Sequence, residues 1–149
     1  MRLIIRAAEE TDLPEILALY GQLGMDAGTV LTVAQARPIW QRIKSYPDYQ
    51  LWVAEVDGAI QGVMALLIMD NLGHLGAPSA VVEDIVVREN FRGRGIGREM
   101  LRFAMQHAQE KGCYKLALSS HKDRQDAHRF YENLGFQKHG YSFLVELKP

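Results

Sequence analysis

The stretch with the clearest chemical content runs from Val86 to Arg98: Val86-Val87-Arg88-Glu89-Asn90-Phe91-Arg92-Gly93-Arg94-Gly95-Ile96-Gly97-Arg98. An apolar strand enters a turn with three glycines, and a helix pattern follows at once. A helix N-terminus presents unpaired N–H groups and a partial positive charge, which together favour a phosphate. Glycines let a pyrophosphate approach the backbone closely. Arg92, Arg94 and Arg98 add positive charge beside it. This is the chemistry of a nucleotide-bearing ligand, and two common versions of it can be excluded. A P-loop ends in Gly-Lys-Ser/Thr, whereas this turn ends Gly97-Arg98-Glu99. A dinucleotide fold places its glycine turn after the first strand, with an acidic residue about 20 positions on. Here several strands precede the turn, and residues 115–119 read Lys-Leu-Ala-Leu-Ser.

Other reactive side chains are less informative. Cys113 is the only cysteine, so no intrachain disulfide can form and a reducing, cytoplasmic setting is expected. Between Gly112 and Tyr114 it reads as a small packed residue rather than a nucleophile. Of the five histidines, His74 and His139 fall in loops, His121 follows a strand, and His107 and His128 lie on helices. No pair has metal-site spacing and partners, so no metal is expected.

These residues must be held by a fold. The chain has 149 residues, 48% of them hydrophobic, which suits one domain spanning 1–149 with a sizeable core. A net charge of −1 gives no support for nucleic acid or an anionic membrane as bulk partner. No apolar leader follows Arg6, and the run Val63–Met69 is too short to span a bilayer.

Leu3-Ile4-Ile5 reads as a strand. Asp12 as N-cap, with Glu15 completing a capping box, starts a helix whose apolar stripe is Leu13, Ile16, Leu17, Leu19, Tyr20 and Leu23. A second helix covers Thr32 to Ser45 despite Pro38. Strands at Leu51–Val56 and Ala59–Met69 are joined by the hairpin signal Asp57-Gly58. After a loop to Ser79 come a strand at Ala80–Arg88, a helix at Glu99–Lys111 and a strand at Lys115–Ser119. A helix at Asp123–Leu134 and a last strand at Tyr141–Leu147 complete the order β, α, α, β, β, β, α, β, α, β. The expected class is α/β with a mixed sheet.

Arg92-x-x-Gly95-x-Gly97 after an apolar strand resembles the acetyl-CoA-binding motif of the GNAT superfamily of N-acetyltransferases. Ala127-His128-Arg129-Phe130-Tyr131-Glu132-Asn133-Leu134-Gly135-Phe136 is similar to that family's second motif, Ala-x-x-Phe-Tyr-x-x-x-Gly-Phe. The element order also matches, so the resemblance covers nearly the whole chain. It implies the GNAT fold, a mixed sheet with a splayed strand pair flanked by about four helices. It implies transfer of an acetyl group from acetyl-CoA to a primary amine by direct attack in a ternary complex.

Residue by residue, the resemblance gives the backbone of Ile85, Val86 and Val87 to the pantetheine arm, as an added strand pairs with an edge. It gives Arg92, Gly93, Arg94, Gly95, Ile96, Gly97 and Arg98 to the pyrophosphate. An amide of Ile85 or Val86 would face the thioester oxygen. Tyr131 matches the position that often protonates the departing thiolate; otherwise it is an aromatic packed at a helix end. Most amines are protonated at neutral pH, so a base or a water relay must take a proton. Glu83 is the candidate, with Asp84 in reserve, because adjacent acids in an apolar strand are costly to bury. An acid that only pairs with an arginine or orders water is the other reading. Strict alternation would put Glu83, Ile85 and Val87 on one face and Asp84 and Val86 on the other, unless a bulge intervenes.

One position departs from the pattern. Arg124 stands where the family commonly has an asparagine that helps bind the cofactor, and it either contacts a cofactor phosphate or is solvated. Across Arg124 to Tyr131 the chain is similar to aminoalkylphosphonate N-acetyltransferases. Val82–Val87 and Gly112–Lys115 resemble glucosamine-6-phosphate N-acetyltransferases. This suggests a small-molecule amine as acceptor. A protein or peptide N-acetyltransferase and a non-catalytic CoA-binding module are the alternatives. Homodimerisation is common in the family, but no residue here establishes it.

Overall fold

The computed structural model describes residues 1–148. The chain divides into two compact units, Met1–Ala117 and Leu118–Pro149, and each is described by itself.

The first unit holds strand β1 (Leu3–Ala7), helices α1 (Leu13–Gly21) and α2 (Val33–Ser45), and strands β2 (Tyr49–Val56), β3 (Ala59–Met69) and β4 (Ser79–Val87). Helix α3 (Ile96–Glu110) and the short strand β5 (Leu116–Ala117) complete it. The sheet runs β1-β2-β3-β4-β5, antiparallel up to β4 and parallel between β4 and β5. Asp57 and Gly58, at φ 48 and 87, make the hairpin turn that the Asp-Gly signal predicts.

Alternation sends each strand's residues to two layers. Leu51, Val53, Val63, Ala65 and Val86 join Leu13, Ile16, Leu17 and Leu19 of α1 and Ala36 and Trp40 of α2 in one core. On the opposite face Trp52 packs against Phe103 of α3, with ring centroids 4.6 Å apart. Gly62 allows α3 to approach the sheet closely, since a Cβ there would stand 2.9 Å from Met100 Sδ. Thr32 caps α2 and Gln35 closes the box.

Asp12 has a different task from the one expected. Its carboxylate accepts hydrogen bonds from Arg6 and from the Glu9 backbone N–H, and it makes no side-chain cap to α1. Arg6 also donates to Glu55, so Asp12 is drawn back toward β1 and β2 by a stronger, charged partner. The Arg6 guanidinium holds the Asp12 carboxyl below its ordinary range.

The second unit contains α4 (Gln125–Asn133), followed by an irregular segment. The strand expected at Tyr141–Leu147 is absent. Tyr141, Phe143, Leu144, Val145 and Leu147 are all exposed. Alternating apolar residues supply a face for a strand, but a strand exists only through its ladder partner, and this segment has none among the described residues. No helix of the described residues is long and apolar enough to cross a membrane.

Candidate active site

Strand β4 carries the candidate chemistry, and its register is broken where that chemistry lies. Glu83 pairs with Ala65 and Val86 with Val63, so two residues of β4, Asp84 and Ile85, stand against Met64 alone. This is a β-bulge, and Asp84 adopts φ 50 within it. Aspartate is among the few residues that tolerate the left-handed region. The bulge overturns strict alternation. Glu83 and Val86 pair with Ala65 and Val63, which lie on the face of α1 and α2. Glu83 and Asp84 are both exposed, which removes the cost of two adjacent buried carboxylates.

Two tyrosines that the sequence reading did not single out as site residues accompany these acids. Tyr20 of α1 and Tyr49 of β2 pack against the same core. Tyr49 lies two residues before Leu51, which pairs with Ala65, which pairs with Glu83. Burial raises the Tyr20 phenol well above its ordinary range, and the Asp84 charge adds to it. Tyr49 is raised by burial first, then by Asp84 and Glu83. Both phenols therefore stay protonated at neutral pH and act as donors, not bases. Carboxylates exposed beside protonated phenols can hold an ammonium group and take a proton from it.

β5 pairs with β4 only at Ala80 and Val81. β5 ends at Ala117, and the edge of β4 from Val82 onward has no strand beside it among the described residues. Past Val87 a single helical turn, Glu89–Phe91, leads into the glycine segment. Gly93 and Gly95 lie at φ 76 and 83, conformations that side chains rarely adopt. Gly95 is the N-cap of α3, and no side chain caps the helix there. Glu99 N–H is bonded back to Gly95, so the N–H groups of Ile96, Gly97 and Arg98 precede the first helical bond. Arg92, Arg94 and Arg98 are exposed around this end, with Arg94 over the Phe91 ring at 4.6 Å. This is an open set of donors and cations that fits a pyrophosphate.

In the second unit, Arg124 precedes α4 and is exposed. Tyr131 is partly buried, between the rings of Phe130 and Phe136 at 5.5 and 6.0 Å. Burial raises its phenol, and Arg124 partly opposes the rise. A tyrosine so held keeps its proton at neutral pH and has one to give.

Comparison with known proteins gives these features a common context. The profile of the acetyltransferase (GNAT) family matches residues 14–136. The chain belongs to the GNAT family of acetyltransferases. Glucosamine 6-phosphate N-acetyltransferase of Trypanosoma brucei brucei is 30% identical over 143 residues, covering 96% of this chain and 95% of that protein. Aminoalkylphosphonate N-acetyltransferase of Salmonella typhimurium is 29% identical over 101 residues, covering 68% of this chain and 65% of its own. A solved protein of Agrobacterium tumefaciens strain C58 shares the fold at a TM-score of 0.91 and 33% identity, over 97% of this chain and 99% of its own. The chain is therefore a GNAT acetyltransferase, with a five-stranded mixed sheet and four α-helices among the described residues.

Proposed function

We propose that this acetyltransferase moves the acetyl group of acetyl-CoA to the primary amine of a small molecule by direct attack in a ternary complex. One observation carries the reading: a single strand, β4, bears exposed carboxylates at a bulge and leads through one helical turn to a glycine turn lined with arginines at an uncapped helix N-terminus. When bound, acetyl-CoA supplies an activated thioester.

The residues of this chain supply the rest. The N–H groups from Gly93 to Arg98, with Arg92, Arg94 and Arg98, hold the pyrophosphate. Arg124 adds a charge for a cofactor phosphate. The edge of β4 from Ile85 to Val87, where Gln22 takes the Val87 carbonyl, receives the pantetheine arm. Arg88 N–H bonds to Gln61, so ladder alternation turns Val86 toward β3. That favours Ile85 over Val86 as donor to the thioester oxygen. Glu83 takes a proton from the ammonium, with Asp84 as reserve, and Tyr20 and Tyr49 orient the carboxylates. Tyr131 gives its proton to the departing thiolate. The matched family segment runs through both units, which supports reading residues 1–149 as one acetyltransferase domain.

The two relatives described above are named for amines that also carry a phosphate or phosphonate. An amino sugar phosphate and an aminoalkylphosphonate are accordingly the first acceptors to try. The test is CoA release from acetyl-CoA across a panel of these, their unphosphorylated forms, polyamines, amino acids and peptide N-termini. Turnover with a small amine supports the proposal. Turnover with peptides alone, or with nothing in the panel, contradicts it.

A further inference from the structure

Gln22, the residue that closes α1, has its side chain committed to the far end of β4. Its Nε2 donates to the Val87 carbonyl at 3.2 Å, and its Oε1 accepts the Glu89 N–H at 3.3 Å. One amide thus uses its donor and its acceptor on two backbone groups spaced two residues apart. That is what one residue of a parallel neighbouring strand would do with its own N–H and C=O. Arg88 N–H points to Gln61 of β3, so the groups of Val87 and Glu89 lie on the side away from β3. Gln22 stands in for a missing strand at the last position before the chain turns toward Gly93.

A second clamp holds the same passage. Arg88 Nε donates to Gln61 Oε1 at 2.8 Å, and its Nη2 donates to Glu15 of α1 at 2.8 Å. Val87, Arg88 and Glu89 are thus fixed between α1 on one side and β3 on the other. The next backbone bonds, Phe91 N–H to Arg88 and Arg92 N–H to Glu89, start from these residues and set where the glycine turn begins.

We infer that Gln22 is a positioning residue for the donor substrate: its amide ends the open edge of β4 and fixes the start of the turn that receives the pyrophosphate. It touches no reacting atom. The inference rests on the acetyl-CoA reading above. It distinguishes the two parts of the donor, since the arm lies along the strand and the pyrophosphate on the turn. Loss of Gln22 loosens the turn and leaves the bulge and its acids in place.

The test compares Gln22→Ala and the isosteric, non-bonding Gln22→Met with the parent enzyme, using acetyl-CoA and the truncated donor S-acetylpantetheine, which has no pyrophosphate. The expected result is a rise in KM for acetyl-CoA of about tenfold, the scale of two lost hydrogen bonds, with kcat held within about twofold. KM for S-acetylpantetheine stays at the parental value. Exchange of the Glu89 amide proton with solvent becomes faster in both variants. An unchanged KM for acetyl-CoA, or an equal rise for both donors, overturns the inference while leaving the donor reading intact. Calorimetry with CoA on the parent separates the two. A parent that does not bind CoA overturns the donor reading and this inference with it.

Discussion

Replacing Gly95 by alanine separates the backbone role of the glycine turn from its binding role. Gly95 sits at φ 83 and ψ 4 as the N-cap of α3. An L-residue in the left-handed region costs about 1–2 kcal/mol. The new Cβ would stand 3.2 Å from Arg98 Nη2, the end of a flexible side chain that can swing aside, so crowding adds little. For a chain of this size, each kcal/mol corresponds to about 2–4 °C in Tm. Gly95→Ala should therefore lower Tm by about 2–8 °C in scanning calorimetry without ligand. Gly93→Ala, at φ 76 with nothing within 4 Å of its Cβ, should lose a similar amount from backbone strain alone. Binding should separate from stability. In the proposed donor site a methyl at Gly95 would intrude where the phosphate approaches the backbone, so CoA affinity by titration calorimetry should fall about tenfold or more. Gly95→Asn should recover most of the Tm, because asparagine tolerates this conformation, but not the affinity. A Gly95→Ala protein that loses stability and binds CoA as tightly as the parent would refute the phosphate-cradle reasoning.

The remaining expectations concern the acids and phenols. Tyr131→Phe should lower kcat about a hundredfold, at the low end for loss of a general acid, with little change in KM for acetyl-CoA; steady-state kinetics measure it. Since burial raises the Tyr131 phenol, the parent's alkaline loss of kcat should lie above the ordinary tyrosine range, and the Phe variant should lack that limb. Glu83→Gln should lower kcat/KM about a hundredfold, whereas Asp84→Asn should do less; equal effects would shift the base role to the pair. The Asp12 carboxyl is depressed in the folded state by Arg6. Its stabilisation is complete above the unfolded value of 3.8 and is lost as pH falls below it toward the folded value. Asp12→Asn should therefore lower Tm near neutrality and flatten the decline of Tm below about pH 4.

Local signals in the sequence were reliable where a local rule decides the structure. The stripe from Leu13 to Leu23, the Asp57-Gly58 turn and the turn around Gly93 and Gly95 each depend on neighbours along the chain, and each formed. The two motifs around Gly95 and Tyr131 were also enough to name the family. What escaped depends on partners distant in sequence. The bulge at Asp84 is a property of the β3–β4 register, visible only once Ala65 is set against Glu83. Asp12 looked like a cap because Arg6 and Glu55 were unknown as its surroundings. Tyr20 looked like one more apolar position in a stripe, and Gln22 had no signal at all until Val87 and Glu89 stood opposite it. The alternation of Tyr141–Leu147 promised a strand, but alternation specifies a face and not a partner.

The central claim is that an acetyl group passes from acetyl-CoA to an amine. The most direct test supplies acetyl-CoA with an isotopically labelled acetyl group together with the acceptor amines, and follows CoA release and label on the amine in the same samples. The account predicts labelled N-acetyl amine equal in amount to the CoA released, with neither formed in the absence of amine. CoA released without label on any amine would contradict it.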